Sequence, residues 1–237
     1  MTMLTKEWET RVRSNYKPRP EKFVTFLTKY NRHPQVNEYL RNYLVTIGHD
    51  VNVLLVGAGR CDGAASPTQH IELANLLRNK DYTLTVLDND TKALHDAVEV
   101  DGTLDEATME YIESKAFIRK RKNGDVSFVL DDIVTADLKR YGPFDIVHCI
   151  NVLYHIGDAY DLKKWRDEAT LALLNIARNM KTGGIMAVDG ARTLKKSSNI
   201  FSRKLNKNVL GEMQLKQAGR PVYNSEEHIT YYFLRKL

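Results

Sequence analysis

The chain has 237 residues and only two cysteines, Cys61 and Cys149. Two thiols cannot build a disulfide framework, and they fit a reducing compartment. Metal ligands are equally sparse in pattern. The seven histidines (33, 49, 70, 95, 148, 155 and 228) are scattered, and none stands in a Cys/His cluster at ligand spacing, so no metal site is expected. No run of 18 apolar residues exists, which excludes a hydrophobic membrane span. The opening residues, Met1 to Trp8, lack the apolar core of a secretion signal, and a cytoplasmic location is expected. Internal repeats and low-complexity linkers are absent as well.

What is present suits one α/β domain with a full core. Hydrophobic residues make up 43% and charged residues 27%, as in ordinary soluble globular proteins. The net charge of +5 is unevenly spread. Residues 1–50 hold 9 Lys/Arg against 5 Asp/Glu, residues 51–191 hold 16 against 22, and residues 192–237 hold 10 against 3. Basic ends flank an acidic middle, and basic ends attract anionic partners. The plainer reading of such charge is a solvated surface.

The most informative stretch is residues 51–63, VNVLLVGAGRCDG. An apolar strand runs into a turn with glycines at 57, 59 and 63. A helix follows, and a second strand, TLTVLD, ends in Asp88. Such a βαβ unit binds a nucleoside. Gly57 and Gly59 permit a tight turn and a close backbone approach, and Asp88 stands where a carboxylate takes two ribose hydroxyls. A dinucleotide site wants G-x-G-x-x-G with a pyrophosphate on the helix N-terminus. Here Asp62 occupies the third glycine position and would repel a phosphate. S-adenosylmethionine (SAM) has no phosphate, and Asp62 is suited to face its ammonium. Ser66-Pro67-Thr68-Gln69 reads as a late helix start, leaving a long loop for the methionine tail. The competing readings are an NAD-dependent oxidoreductase, which Asp62 disfavours, and an α/β protein with a glycine turn and no cofactor.

Apolar periodicity then predicts the rest. Residues 1–50 form helices, an extension or lid before a domain spanning 51–237. Strands are expected at 51–56, 82–87, 126–130, 144–150 and 185–188. Helices are expected at 67–79, 91–98 and 161–180, with Asp158 or Asp161 as a cap. A helix is also expected at 103–119, from a capping box at Thr103 to a stop at Gly124. Residues 220–224 and 228–234 read as a closing strand pair. Alternating strands and helices imply a doubly wound, mostly parallel sheet with right-handed crossovers.

In this order the motifs resemble the class I SAM-dependent methyltransferase superfamily, over about residues 51–237. The resemblance rests on Gly57-Ala58-Gly59, on Asp88, and on Asp132 after the third strand. It rests also on FDIVHCINVLYHI (144–156), on MKTGG (180–184), and on the closing segments KQAG (216–219) and YYFLRK (231–236). It implies an α/β sheet of about seven strands with a C-terminal antiparallel hairpin. It implies that Gly57, Ala58 and Gly59 pass beneath the methionine part of SAM. Asp88 would hold the ribose with Asn89 beside the adenine, and Asp132 would take the adenine amino group. Ile133 would cover the ring face, and Ile150 and Asn151 would border the sulfonium. Two positions depart from the pattern: Leu55 replaces an acid two residues before the first glycine, and Cys61 replaces a third small residue. Asp88 to Leu94 and Cys149-Ile150-Asn151 also resemble the chemotaxis-receptor methyltransferases. Ile150 replaces their Arg, so a protein-glutamate substrate does not carry over.

Methyl transfer from a sulfonium is an in-line displacement to which the protein contributes position and a dry pocket. An oxygen or nitrogen acceptor also gives up a proton, and Tyr154 and His155 follow the fourth strand at the rim where acceptors enter. Packing is the plainer role for both. A base there would give a rate rising with pH near the histidine reference of about 6.5 unless the pocket shifts it. Residues 192–207 carry Arg192, Lys195, Lys196, Arg203, Lys204 and Lys207 and no acid. A basic flap after the fifth strand suits RNA or another polyanion. A solvated helix explains it equally well. A catalytically inactive methyltransferase fold serving as an RNA-binding or scaffold subunit is the remaining alternative.

Overall fold

The computed structural model describes residues 4–17, 33–48, 50–58, 69–101, 116–121, 123–156, 161–189, 209–225 and 229–237. The chain folds as two compact units, Pro20–Asp132 and Met1–Arg19 with Ile133–Leu237. Nine strands and five α-helices lie among the described residues.

In the unit Pro20–Asp132, β1 (Val51–Val56), β2 (Tyr82–Asp88) and β4 (Gly124–Leu130) run parallel, with β2 in the middle. β1 is buried at five of its six positions. A near-continuous apolar run is what a parallel strand covered on both faces requires. Helices α2 (Pro34–Val45), α3 (Gln69–Leu77) and α4 (Thr91–Asp101) belong to the same unit. Asn37 on α2 donates to Glu72 on α3 at 2.9 Å, a buried polar pair. Asp90 starts α4, its Oδ1 accepting from the Lys92 amide at 2.9 Å, which satisfies one of the helix's orphan donors.

Beside β4 lies β3 (Ala116–Arg121), antiparallel, with Phe117 opposite Phe128 and Arg121 opposite Gly124. This corrects the expected helix over 103–119: residues 116–119 are strand, and 102–115 lie outside the described residues. Phe117 and Ile118 favour a pleated surface, and Asn123-Gly124 is a hairpin signal rather than a helix stop. Gly124 is also required by a close approach. A Cβ there would lie 2.8 Å from the Tyr82 ring.

In the other unit, β5 (Phe144–Cys149) pairs parallel with β6 (Met180–Asp189), and β6 pairs antiparallel with β9 (Ile229–Lys236). The far side of β9 carries two short strands, β7 (Leu215–Gln217) and β8 (Val222–Asn224), both antiparallel. The closing hairpin is therefore present, and Lys216-Gln217 adds a strand to it. The long helix α5 (Leu162–Arg178) is capped by Asp161, whose side chain accepts from the amides of Lys163 and Lys164. It buries Trp165, Ala169, Leu173 and Ile176. It ends two residues earlier than expected, and β6 begins five residues earlier. Gly183-Gly184 lies within β6, where the pairing register with β5 shifts and Gly183 takes φ +85°, as a β-bulge does.

Helix α1 (Lys6–Asn15) packs on α5. Arg178 on α5 grips both carboxylate oxygens of Glu9, at 2.8 and 2.9 Å. Trp8 Nε1 donates to Asp167 at 3.4 Å. The expected apolar face of residues 23–30 lies outside the described residues. Among the described residues no helix is long and apolar enough to cross a membrane.

Candidate functional site

The turn after β1 is built as the glycine pattern requires. Gly57 takes φ +82° and donates its amide to the Leu87 carbonyl at 2.8 Å. Ala58, fully buried, donates its amide to Asp88 Oδ2 at 2.7 Å. The other oxygen of Asp88 accepts from the Asp90 amide at 2.9 Å, so one carboxylate fixes the β1 turn and the start of α4 together. The Asp88 carbonyl accepts from Asp131 at 3.0 Å, which ties the ends of β2 and β4. Asp132 is buried, and its amide donates to Asp131 Oδ1 at 2.8 Å. Asn89 is exposed beside Asp88. Gly59, Cys61 and Asp62 lie outside the described residues.

The structure thus gathers Gly57, Ala58, Asp88 and Asp132 at the carboxyl ends of neighbouring strands, where open α/β sheets bind ligands. The acids Asp88, Asp131 and Asp132 end β2 or follow β4. Their chemistry is that of hydrogen-bond acceptors. They suit hydroxyls, an amino group or a cation, and they oppose a phosphate.

In the other unit, Ile133 and Ile150 are buried. Asn151 takes φ +60° and donates its amide to Asp189 Oδ1 at 2.8 Å. Asp189 is buried at the end of β6 and was not anticipated, since the strand was expected to stop at Val188. The signal was present as an acid directly after Met186-Ala187-Val188. Burial, and secondarily the Asp189 charge, raise the Cys149 thiol far above the usual range. That thiol is an inert small hydrophobe, not a nucleophile.

Tyr154 and His155 sit in a 3-10 turn, Leu153–His155. This turn is held by Trp165, whose Nε1 donates to the Leu153 carbonyl at 3.2 Å. The His155 side chain is half-buried, and burial lowers its pKa to about 4. His148, wholly buried in β5, is likewise lowered to about 4 by burial. Both imidazoles are neutral at pH 7. The six cations of residues 192–207 lie outside the described residues. Among the described residues no three His, Cys, Asp or Glu side chains come together as metal ligands.

No family model matches the chain, and no curated protein matches it. Solved structures do. The N-methyltransferase NodS of Bradyrhizobium japonicum WM9, in complex with S-adenosyl-L-homocysteine, matches with a TM-score of 0.54 at 18% identity, over 88% of each chain. The [4+2]-cyclase SpnF matches at 0.50 and 12% identity, over 97% of this chain and 91% of that one. TrmN from Thermus thermophilus matches at 0.50 and 16% identity, over 86% of this chain and 48% of that one. The fold is the class I methyltransferase fold.

Proposed function

We propose that this chain is a SAM-dependent methyltransferase acting on an oxygen or nitrogen acceptor. The cyclase shows that the fold alone does not decide the reaction. The observation that carries the reading is the Asp88 carboxylate, fixed by Ala58 and Asp90 at the end of β2. A carboxylate held there by backbone amides is oriented as an acceptor for vicinal ribose hydroxyls. The acids after β4 disfavour the pyrophosphate of a dinucleotide. Gly57 and Ala58 would let the backbone pass close to the methionine part, Asp132 would accept from the adenine amino group, and Ile133 would cover the ring. Ile150 and Asn151 would border the methyl group. When bound, SAM supplies an electrophilic methyl group. The chain's own residues then orient the acceptor and exclude water.

The acceptor is proposed to be anionic, RNA being the best candidate, guided by Arg192, Lys195, Lys196, Arg203, Lys204 and Lys207. Its proton would pass to His155, with Tyr154 beside it at the rim. With its pKa near 4, His155 is a weak base always in its accepting form at neutral pH, so positioning carries most of the rate. Titration calorimetry with SAM, S-adenosylhomocysteine and NAD tests the cofactor. Binding of both sulfur ligands and not of NAD is expected, and binding of NAD alone would overturn the reading. Release of S-adenosylhomocysteine in the presence of RNA separates an enzyme from an inactive RNA-binding or scaffold subunit.

A further inference from the structure

Directly after Asp132 the chain makes a turn through residues 133–136, and side chains of two helices hold its carbonyls. Asn175 on α5 is buried, and its Nδ2 donates to the Ile133 carbonyl at 2.9 Å and to the Ala136 carbonyl at 3.0 Å. Both amide hydrogens of Asn175 are thereby committed. Arg13 on α1 donates to the Val134 carbonyl at 3.0 Å. Arg13 is itself aimed by Glu9, at 3.0 Å to its Nε and 2.9 Å to a terminal nitrogen. Glu9 in turn is clamped by Arg178. These two arginines hold the Glu9 carboxyl below the usual range, the Arg178 contact contributing most.

Ile133, Val134 and Ala136 are buried, and Thr135 between them is exposed. A buried turn cannot leave its carbonyls unpaired without a desolvation penalty. Here the partners are side chains of two helices rather than a ladder of neighbouring backbone, so the position of Ile133 depends on where α1 and α5 stand. We infer that Arg13 and Asn175 are positioning residues for the adenine-facing turn at Ile133, with α1 acting as a clasp on cofactor affinity. This inference rests on the cofactor reading above and names two further residues, far from the glycine turn in sequence, that serve it.

The test uses the full chain and two readouts, one of them independent of ligand. Amide hydrogen exchange of residues 131–137 in the ligand-free protein reports the turn, and calorimetry with S-adenosylhomocysteine and with adenosine reports affinity. Arg13→Ala should speed exchange in that segment and weaken both ligands about three- to tenfold. Arg13→Lys, which keeps a donor, should recover part of the affinity. Arg178→Ala cuts the helix clamp without touching the turn. It should lower thermal stability and, because Glu9 aims Arg13, weaken both ligands in the same direction as Arg13→Ala but by less. Asn175→Asp should show the larger effect. If it fails to fold, Arg13→Ala still decides. Unchanged exchange and unchanged affinity in Arg13→Ala would overturn the clasp while leaving the cofactor reading intact. Faster exchange with unchanged affinity would make the contact a structural brace and overturn the inference. A wild-type protein that binds neither ligand would overturn both.

Discussion

Asp88 and Ala58 are thirty residues apart, and the carboxylate of one holds the amide of the other at 2.7 Å. A single acid at the end of β2 therefore shapes the turn after β1. Asp88→Ala removes the proposed ribose contact and the anchor of the turn together. A charge-assisted hydrogen bond contributes about 1.5–3 kcal/mol, so SAM affinity should fall at least tenfold in titration calorimetry. Asp88→Asn should fall less, because one amide oxygen still accepts. An alanine variant with wild-type affinity would place the ribose elsewhere.

Asn151 pairs a left-handed backbone with a bond to the buried Asp189. Asn and Gly adopt that conformation readily, whereas other residues lose roughly 1–2 kcal/mol there. Asn151→Gly should leave the thermal midpoint nearly unchanged, and Asn151→Val should lower it by several degrees. If Gly lowers turnover while stability holds, the Asn side chain itself serves the acceptor.

Buried neutral histidines make the fold acid-sensitive in a definite window. The unfolded His148 gains a proton below its ordinary 6.5, and the folded one only near 4. The unfolded state thus binds more protons between those values, and stability falls as pH falls through them. Above 6.5 the contribution vanishes. For His148 the full effect is on the order of 3 kcal/mol. His155 acts in the same direction. His148→Gln should flatten the dependence of the chemical-denaturation midpoint on pH between 4 and 6.5. An unchanged slope would assign the acid sensitivity to other groups.

The same burial changes what is expected of catalysis. With His155 near 4, methyl transfer should be nearly independent of pH from 6 upward, not rising through 6.5. His155→Ala should lower the rate and spare SAM affinity. A wild-type rate that climbs tenfold per pH unit between 6 and 7 would point to another base.

The glycine turn, Asp88 and the alternating core were legible because each follows from a local rule. Left-handed Gly57 and a strand that ends in acid leave direct marks in the sequence. The β3 strand was not legible, because the cations at 119–122 read like the last turn of a helix, with Asn123-Gly124 placed like its stop. The bulge at Gly183 was hidden for a similar reason, since two glycines after a helix look like its end. Asp189, Arg13 and Asn175 act through contacts between segments distant in sequence. Asn175 looks like any polar residue in a helix until the turn at 133–136 is packed against it, and nothing in its neighbours announces that.

The basic segment after β6 should govern how the acceptor is held. Six cations and no acid in residues 192–207 stand beside an acidic central stretch of 16 Lys/Arg against 22 Asp/Glu. Guidance of a polyanion by such a segment is screened by salt, with a Debye length of about 8 Å at physiological ionic strength. Removing one cation that neutralises a phosphate should reduce the slope of log affinity against log salt by roughly one. Replacing Lys195, Lys196, Arg203 and Lys204 with Gln should therefore weaken RNA binding and flatten its salt dependence. SAM affinity should be unaffected, because the proposed cofactor contacts are on other segments of the chain. Binding isotherms at several salt concentrations, for wild type and the fourfold variant, check both statements. A wild-type protein that binds no RNA at low salt removes RNA as the acceptor. A small-molecule or protein acceptor then takes its place, with the contacts of Asp88 untouched.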